Sequence, residues 1–78
     1  MSSRRPQKGL GAAIKMRRER TGLSKRALAD RAEISASWLA QVETGAVDPT
    51  WATVRRIAKG LEVPLEELAA ETERLEHE

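Results

Sequence analysis

The sequence predicts an all-α protein, a compact bundle of five short helices. Three observations carry that prediction. Apolar residues recur at spacings of three and four, the period of a helix face, and nowhere alternate as along a half-buried strand. Ser24, Ser35 and Thr50 stand just ahead of periodic stretches, where a side-chain oxygen caps a helix start. Gly22 and Gly45 stand just behind two of them, where glycine ends a helix. The chain has 78 residues, enough for one small domain.

The elements follow in order. Residues 1–8 are polar and basic, carry Pro6, and read as a flexible arm; residues 9–78 form the domain. Helix 1 runs from Gly9 to about Thr21, with Leu10, Ile14 and Thr21 near one face, and Gly22 stops it. Leu23 and Ser24 supply an apolar residue and a cap for helix 2, Lys25 to Ala32, which buries Leu28, Ala29 and Ala32. A tight turn at Glu33 and Ile34 leads to Ser35 and helix 3, Ala36 to Thr44, with Leu39 and Val42 inward. After a loop from Ala46 to Pro49, Thr50 caps helix 4. That helix starts at Trp51 and ends at Lys59 or Leu61, with Trp51, Val54, Ile57, Ala58 and Leu61 as its apolar side. Pro64 fits the first position of helix 5, whose Leu65, Leu68, Ala69, Thr72 and Leu75 recur at helical spacing.

Charge is distributed unevenly. Residues 1–31 hold ten Lys/Arg against Glu19 and Asp30, a net of +8; residues 32–60 balance; residues 61–78 set Arg74 against seven glutamates, a net of −6. A basic N-terminal half attracts a polyanion, and the acidic tail faces away from it. Catalysis finds little support. There is no cysteine and no tyrosine, the single histidine is His77, and no glycine-rich phosphate loop is present. The glutamates of helix 5 read as a solvated surface. Neither a cofactor nor a metal site is expected, and no small-molecule effector is evident. Apolar runs are too short to span a membrane and Met1 to Lys8 lacks an apolar core, so a cytoplasmic, nucleoid-associated protein is expected.

The informative unit is SKRALADRAEISASWLAQVETG, two helices joined by about three residues. So short a turn makes the helices cross steeply through small residues, Ala29 and Ala32. The second helix is thereby turned outward, where it can enter a major groove. Together with LGAAIKMRRERTGLS ahead of it and DPTWATVRRIAKGLEVPLEEL behind, the unit resembles the phage repressor/Cro-type helix-turn-helix domains, the XRE family. The resemblance covers about Leu10 to Leu68. It implies a lambda-repressor-like DNA-binding fold, acting as a homodimeric transcriptional regulator on double-stranded DNA with two half-sites. Two departures stand out: Glu33 and Glu62 occupy positions where the family usually has glycine, each with strain on the order of 1 kcal/mol if φ stays positive. Gly60 falls where the family usually has alanine, which would allow helix 4 to end at Lys59.

The family pattern also implies roles. Ala36, Ser37 and Gln41 fall at base-facing positions, and 37 and 41 share one face opposite Leu39 and Val42. Gln pairs bidentately with an adenine edge, and Ala meets a thymine methyl. Ser24, Lys25, Thr44, Thr50 and Trp51 are candidates for the DNA backbone, with pure helix capping the other reading of Ser24 and Thr50. Arg4 and Arg5 either trail along the phosphates or merely solubilise the arm. Trp38 has two readings, against the sugar-phosphate wall or partly buried against helix 4 or a dimer partner. Arg18 and Glu43 are implied to form a buried ion pair joining helices 1 and 3. Leu68, Thr72 and Leu75 are candidates for the dimer interface, with Trp51 beside them, Leu68 also reading as core, and Leu75 beyond the compact fold. A second functional reading is an antitoxin or adaptor whose main partner is a protein, with DNA binding secondary.

Overall fold

The computed structural model describes residues 8–77. Its order is α1 (Lys8–Arg20), α2 (Lys25–Ala32), α3 (Ala36–Thr44), α4 (Trp51–Leu61) and α5 (Leu65–Glu76), with no strand among the described residues. The helix starts are set by local chemistry. Ser24, Ser35 and Thr50 sit in extended backbone and accept from the N–H groups of Ala27, Trp38 and Thr53 at 3.0, 3.0 and 3.2 Å.

The helix ends share one closure. Gly22, Glu33, Gly45 and Glu62 are all left-handed, at φ 76, 60, 81 and 60°. In each case the next residue's N–H reaches back five residues: Leu23 to Arg18, Ile34 to Ala29, Ala46 to Gln41 and Val63 to Ala58, at 3.0–3.1 Å. These bonds satisfy carbonyls that the helix leaves open. Two glutamates thus adopt the conformation that glycine adopts without strain, as the departures from the family pattern imply.

Several boundaries differ from the sequence-based expectation. Lys8, counted with the arm, is already helical, and Thr21 lies in the turn, exposed, with its hydroxyl donating to the Arg18 carbonyl at 2.8 Å. Helix α4 runs through Gly60 to Leu61, with Gly60 packed against Leu28 and Arg31, where there is little room for a side chain. Pro64 is the cap residue at ψ 142° and not the first helical position. Among the described residues, no helix is long and apolar enough to cross a membrane.

One core joins the helices. Ile14 of α1, Leu28 of α2, Leu39 and Val42 of α3, Ile57 of α4 and Leu68 of α5 are fully enclosed. Burying each such side chain contributes about 1.5–3 kcal/mol relative to leaving it in water. Ala29 and Ala32 are buried on α2, and their small size lets it lie close to its neighbours. Helix α5 lies along α1: Gly9 packs directly on the Thr72 carbonyl and the Glu76 side chain. Leu75 therefore packs against the core and does not lie beyond it, and α5 is helical to Glu76. The solvated reading of the α5 glutamates fails at Glu71, which is 3% exposed. The Arg17 Nε donates to it at 2.6 Å, Arg74 lies 3.4 Å away, and Arg17 Nη2 donates to Glu67 at 2.8 Å. These hydrogen bonds, Glu71 first, hold the Arg17 pKa above its ordinary value.

Candidate nucleic-acid interface

Helix α3 has two different sides. Leu39, Val42 and Glu43 point inward and are buried, while Ser37 and Gln41 are exposed and Ala36 is half-buried. One turn of helix separates Ser37 from Gln41, so their side chains are neighbours on the surface. Neither side chain is hydrogen-bonded to another described residue, so both keep donors and acceptors for a ligand.

The inward side is fixed by a buried ion pair. Arg18 Nε and Nη2 donate to the two carboxylate oxygens of Glu43 at 2.7 and 3.1 Å. The third arm of the fork, Nη1, donates to the Leu23 carbonyl at 2.9 Å. One guanidinium thus ties α1, α3 and the connection into α2 together. The fork geometry and two short charge-assisted bonds give this contact its directionality. The Glu43 hydrogen bonds raise the Arg18 pKa; burial acts the other way, and the attraction of Glu43 reinforces the first effect. A second constraint lies nearby. A side chain at Gly11 would run into the Val42 and Glu43 carbonyl oxygens, so α1 can approach the end of α3 only because this position is glycine.

Around this helix the expected backbone contacts sort themselves. Lys25, first residue of α2, is exposed and unpaired among the described residues. The Ser24 oxygen accepts from Ala27, which leaves its O–H free to donate. Thr44 is exposed, but its O–H already donates to the Gln41 carbonyl at 3.0 Å. It can give that hydrogen to a phosphate only by releasing the helix bond. Thr50 accepts from the Thr53 N–H and lies 3.0 Å from the Thr53 hydroxyl. Trp38 is half-buried and packs against the core, with an indole N–H that meets no acceptor among the described residues. Arg4 and Arg5 lie outside the described residues.

Two expectations change. Trp51 is not part of the apolar side of α4: it is 62% exposed and borders a surface groove with Leu10, Pro49, Leu65, Ala69 and Thr72. Its ring therefore faces the α5 side of the molecule. Leu68, read both as core and as part of a dimer interface, has no accessible surface, which fits the core reading, and it supports that groove from below. The sequence did contain a signal for the groove. Leu65, Ala69 and Thr72, at spacings of four and three, form their own stripe beside the buried Leu68. The pairing of Arg17 with Glu67 and Glu71 was missed, since separations of 50 and 54 residues leave no local trace.

A family model described as a helix-turn-helix domain matches residues 9–70. Among curated proteins there is no match. The fold is similar to that of the clp gene regulator ClgR from Corynebacterium glutamicum, at 21% identity, TM-score 0.82, over 90% of this chain and 91% of that one. It is similar to the restriction-modification controller protein C.AhdI from Aeromonas hydrophila, at 24% identity, TM-score 0.78, over 80% and 94%. It also resembles the wild-type controller protein C.Esp1396I, at 19% identity, TM-score 0.84, over 94% of each chain. At these identities the likeness is one of fold.

Proposed function

The chain belongs to the helix-turn-helix domain family, of the XRE-like kind, and from that membership we propose a sequence-specific DNA-binding transcriptional regulator that engages its operator as a homodimer with α3 in the major groove. Membership alone places it among DNA-binding domains rather than enzymes. One observation carries the finer reading: α3 presents Ser37 and Gln41, exposed and unpaired, while its opposite side is locked to α1 through Glu43 and Arg18. A reading helix needs both properties, free polar groups at the base edges and a scaffold that holds them in register.

In this reading Gln41 pairs with a base edge through its amide, Ser37 supplies a second hydrogen bond, and Ala36 gives the helix a close approach. Lys25 and the Ser24 hydroxyl hold phosphates at the start of α2. Trp38 closes the flank of the helix with its ring on the core and its N–H outward. The similar structures are those of a gene regulator and two restriction-modification controller proteins, which supports regulation of transcription as the role.

Selection of bound sequences from a random DNA pool tests this. The expected result is a palindromic motif with two half-sites and a steep loss of affinity with salt. Equal retention of every sequence would sink the reading. Gln41→Ala should lower the preference at one position of each half-site by about 1–3 kcal/mol and leave other positions unchanged.

A further inference from the structure

The end of α3 meets α1 through two glycines. A side chain at Gly45 would lie 3.3 Å from both Cα and Cγ of Lys8, so the first residue of α1 covers the glycine that ends α3. About one turn further along α1, Gly11 rests on the Val42 and Glu43 carbonyls. These contacts fix the backbone and inner stem of Lys8 relative to α3. Its ammonium is not engaged: Lys8 is exposed and unpaired among the described residues. Glu76 packs on the neighbouring Gly9 and makes no ion pair with it.

Helix capping does not account for this cation. The last carbonyls of α3 are already occupied, Gln41 by the Ala46 N–H and the Thr44 hydroxyl, and Val42 by the Gly45 N–H. For a polyanion, in contrast, the position matters. Helices α2 and α3 are joined between Ala32 and Ala36, so the free ends of the pair are the start of α2 and the end of α3. These ends lie about 12 and about 13 Å from the joint, along eight and nine residues. Lys25 stands at the first free end and Lys8 against the second. The chain that leaves the second end supplies no cation of its own: residues 46–49 hold no Lys or Arg, and Asp48 borders the groove beside Trp51. A helix seated in a major groove runs between two phosphate strands, and contacts on both flanks fix its depth and tilt.

We propose that Lys8 is a DNA-backbone contact, a phosphate anchor at the end of α3 that complements Lys25 at the start of α2. The inference rests on the DNA-binding reading above and adds the anchor on the second flank. Because Lys8 is seated on α3 through Gly45 and Gly11, it moves with the reading helix as one body. A phosphate held by its ammonium therefore holds the end of α3 at a set height, with Gln41 one turn away from that end.

The test is the salt dependence of affinity for DNA selected from a random pool, measured on the full chain. Lys8→Gln keeps the Cβ and Cγ that cover Gly45 and removes only the charge. It should flatten the log–log salt slope by about one, weaken binding several-fold, and keep both the selected sequence and the melting temperature. Lys8→Arg should restore the slope. Lys59→Gln removes an exposed cation from α4, which packs on α2, and should leave the slope unchanged. Replacing single phosphates by methylphosphonate should find one position in each half-site that weakens the unaltered chain and not Lys8→Gln. An unchanged slope for Lys8→Gln, with or without a lower melting temperature, overturns the anchor and leaves the DNA-binding reading standing. So does an equal flattening by Lys59→Gln, which would mean that charge acts at a distance. If no sequence is selected while the Lys8-dependent slope persists, the anchor stands and the sequence-specific reading fails.

Discussion

Arg18 and Glu43 show how much one pair of side chains can decide. Both are buried, the bond is bidentate, and the remaining Arg18 arm is satisfied by the Leu23 carbonyl. Glu43→Ala would leave the guanidinium enclosed without its partner, at a cost of about 3–5 kcal/mol. Urea unfolding should show that loss; a change within about 1 kcal/mol would refute a structural strut at this site. The sign of the pH dependence follows from the raised Arg18 pKa. Stability from an arginine whose pKa rises on folding is fully present below the unfolded value and is lost only as pH climbs through the folded one. Melting between neutrality and about pH 10 should therefore show no loss traceable to the arginine side of this pair. The glutamates at φ 60° act in the opposite direction. Glu33→Gly and Glu62→Gly should each raise stability by about 0.5–1 kcal/mol, read as an increase in the melting temperature, since glycine adopts this conformation without strain. At this scale the family pattern located both the pair and the strained caps. No local property of the residues would have done so, because an arginine and a glutamate 25 positions apart look like any surface charges.

The helices themselves were legible from short-range chemistry. Ser24, Ser35 and Thr50 cap the starts that their positions announce, and Gly22 and Gly45 end helices in the left-handed conformation. Such signals act within four or five residues, so the sequence shows them directly. What failed depended on which neighbour a helix meets. Trp51 looked apolar enough for the core, but the first turn of α4 projects past the α5 packing, and the ring stays exposed. Glu71 looked solvated, but α5 lies along α1 and presents it to Arg17. The α1–α5 contact should respond to Glu71→Ala with faster hydrogen exchange throughout α5 and a lower melting temperature, with α2 and α3 less affected. Unchanged protection of α5 would show that the Arg17 bridge is incidental. Gly11→Ala tests the contact on the other side of α1. The added methyl meets two α3 carbonyl oxygens with no room to relax, and overpacking of this kind costs about 1–3 kcal/mol.

Over the whole molecule, the charge gradient overstates what DNA can meet. The net of +8 in residues 1–31 includes Arg17 and Arg18, which are both engaged by glutamates inside the protein. Summed charge cannot distinguish a free cation from a paired one; only the packing does. Lys25 is among the free ones, and Lys25→Ala should flatten the log–log salt slope of DNA binding by about one and weaken all sequences alike. An unchanged slope would remove Lys25 from the phosphate contacts. The molecule has one further property, in the way its chain closes. The first turn of α1 and the last turn of α5 touch at Gly9 and Glu76, so the helices form a ring in space although the chain is linear. A short flexible linker across that junction would add little entropy cost, since closing a loop between neighbouring ends is inexpensive. Opening the chain instead in the 46–49 connection would give a circular permutant that starts near α4 and ends on α3. The Arg18–Glu43 strut would lie wholly within its second half. The helix that now sits in mid-chain would become the terminus, and a cargo fused there would be delivered to the side of the fold that carries Ser37 and Gln41.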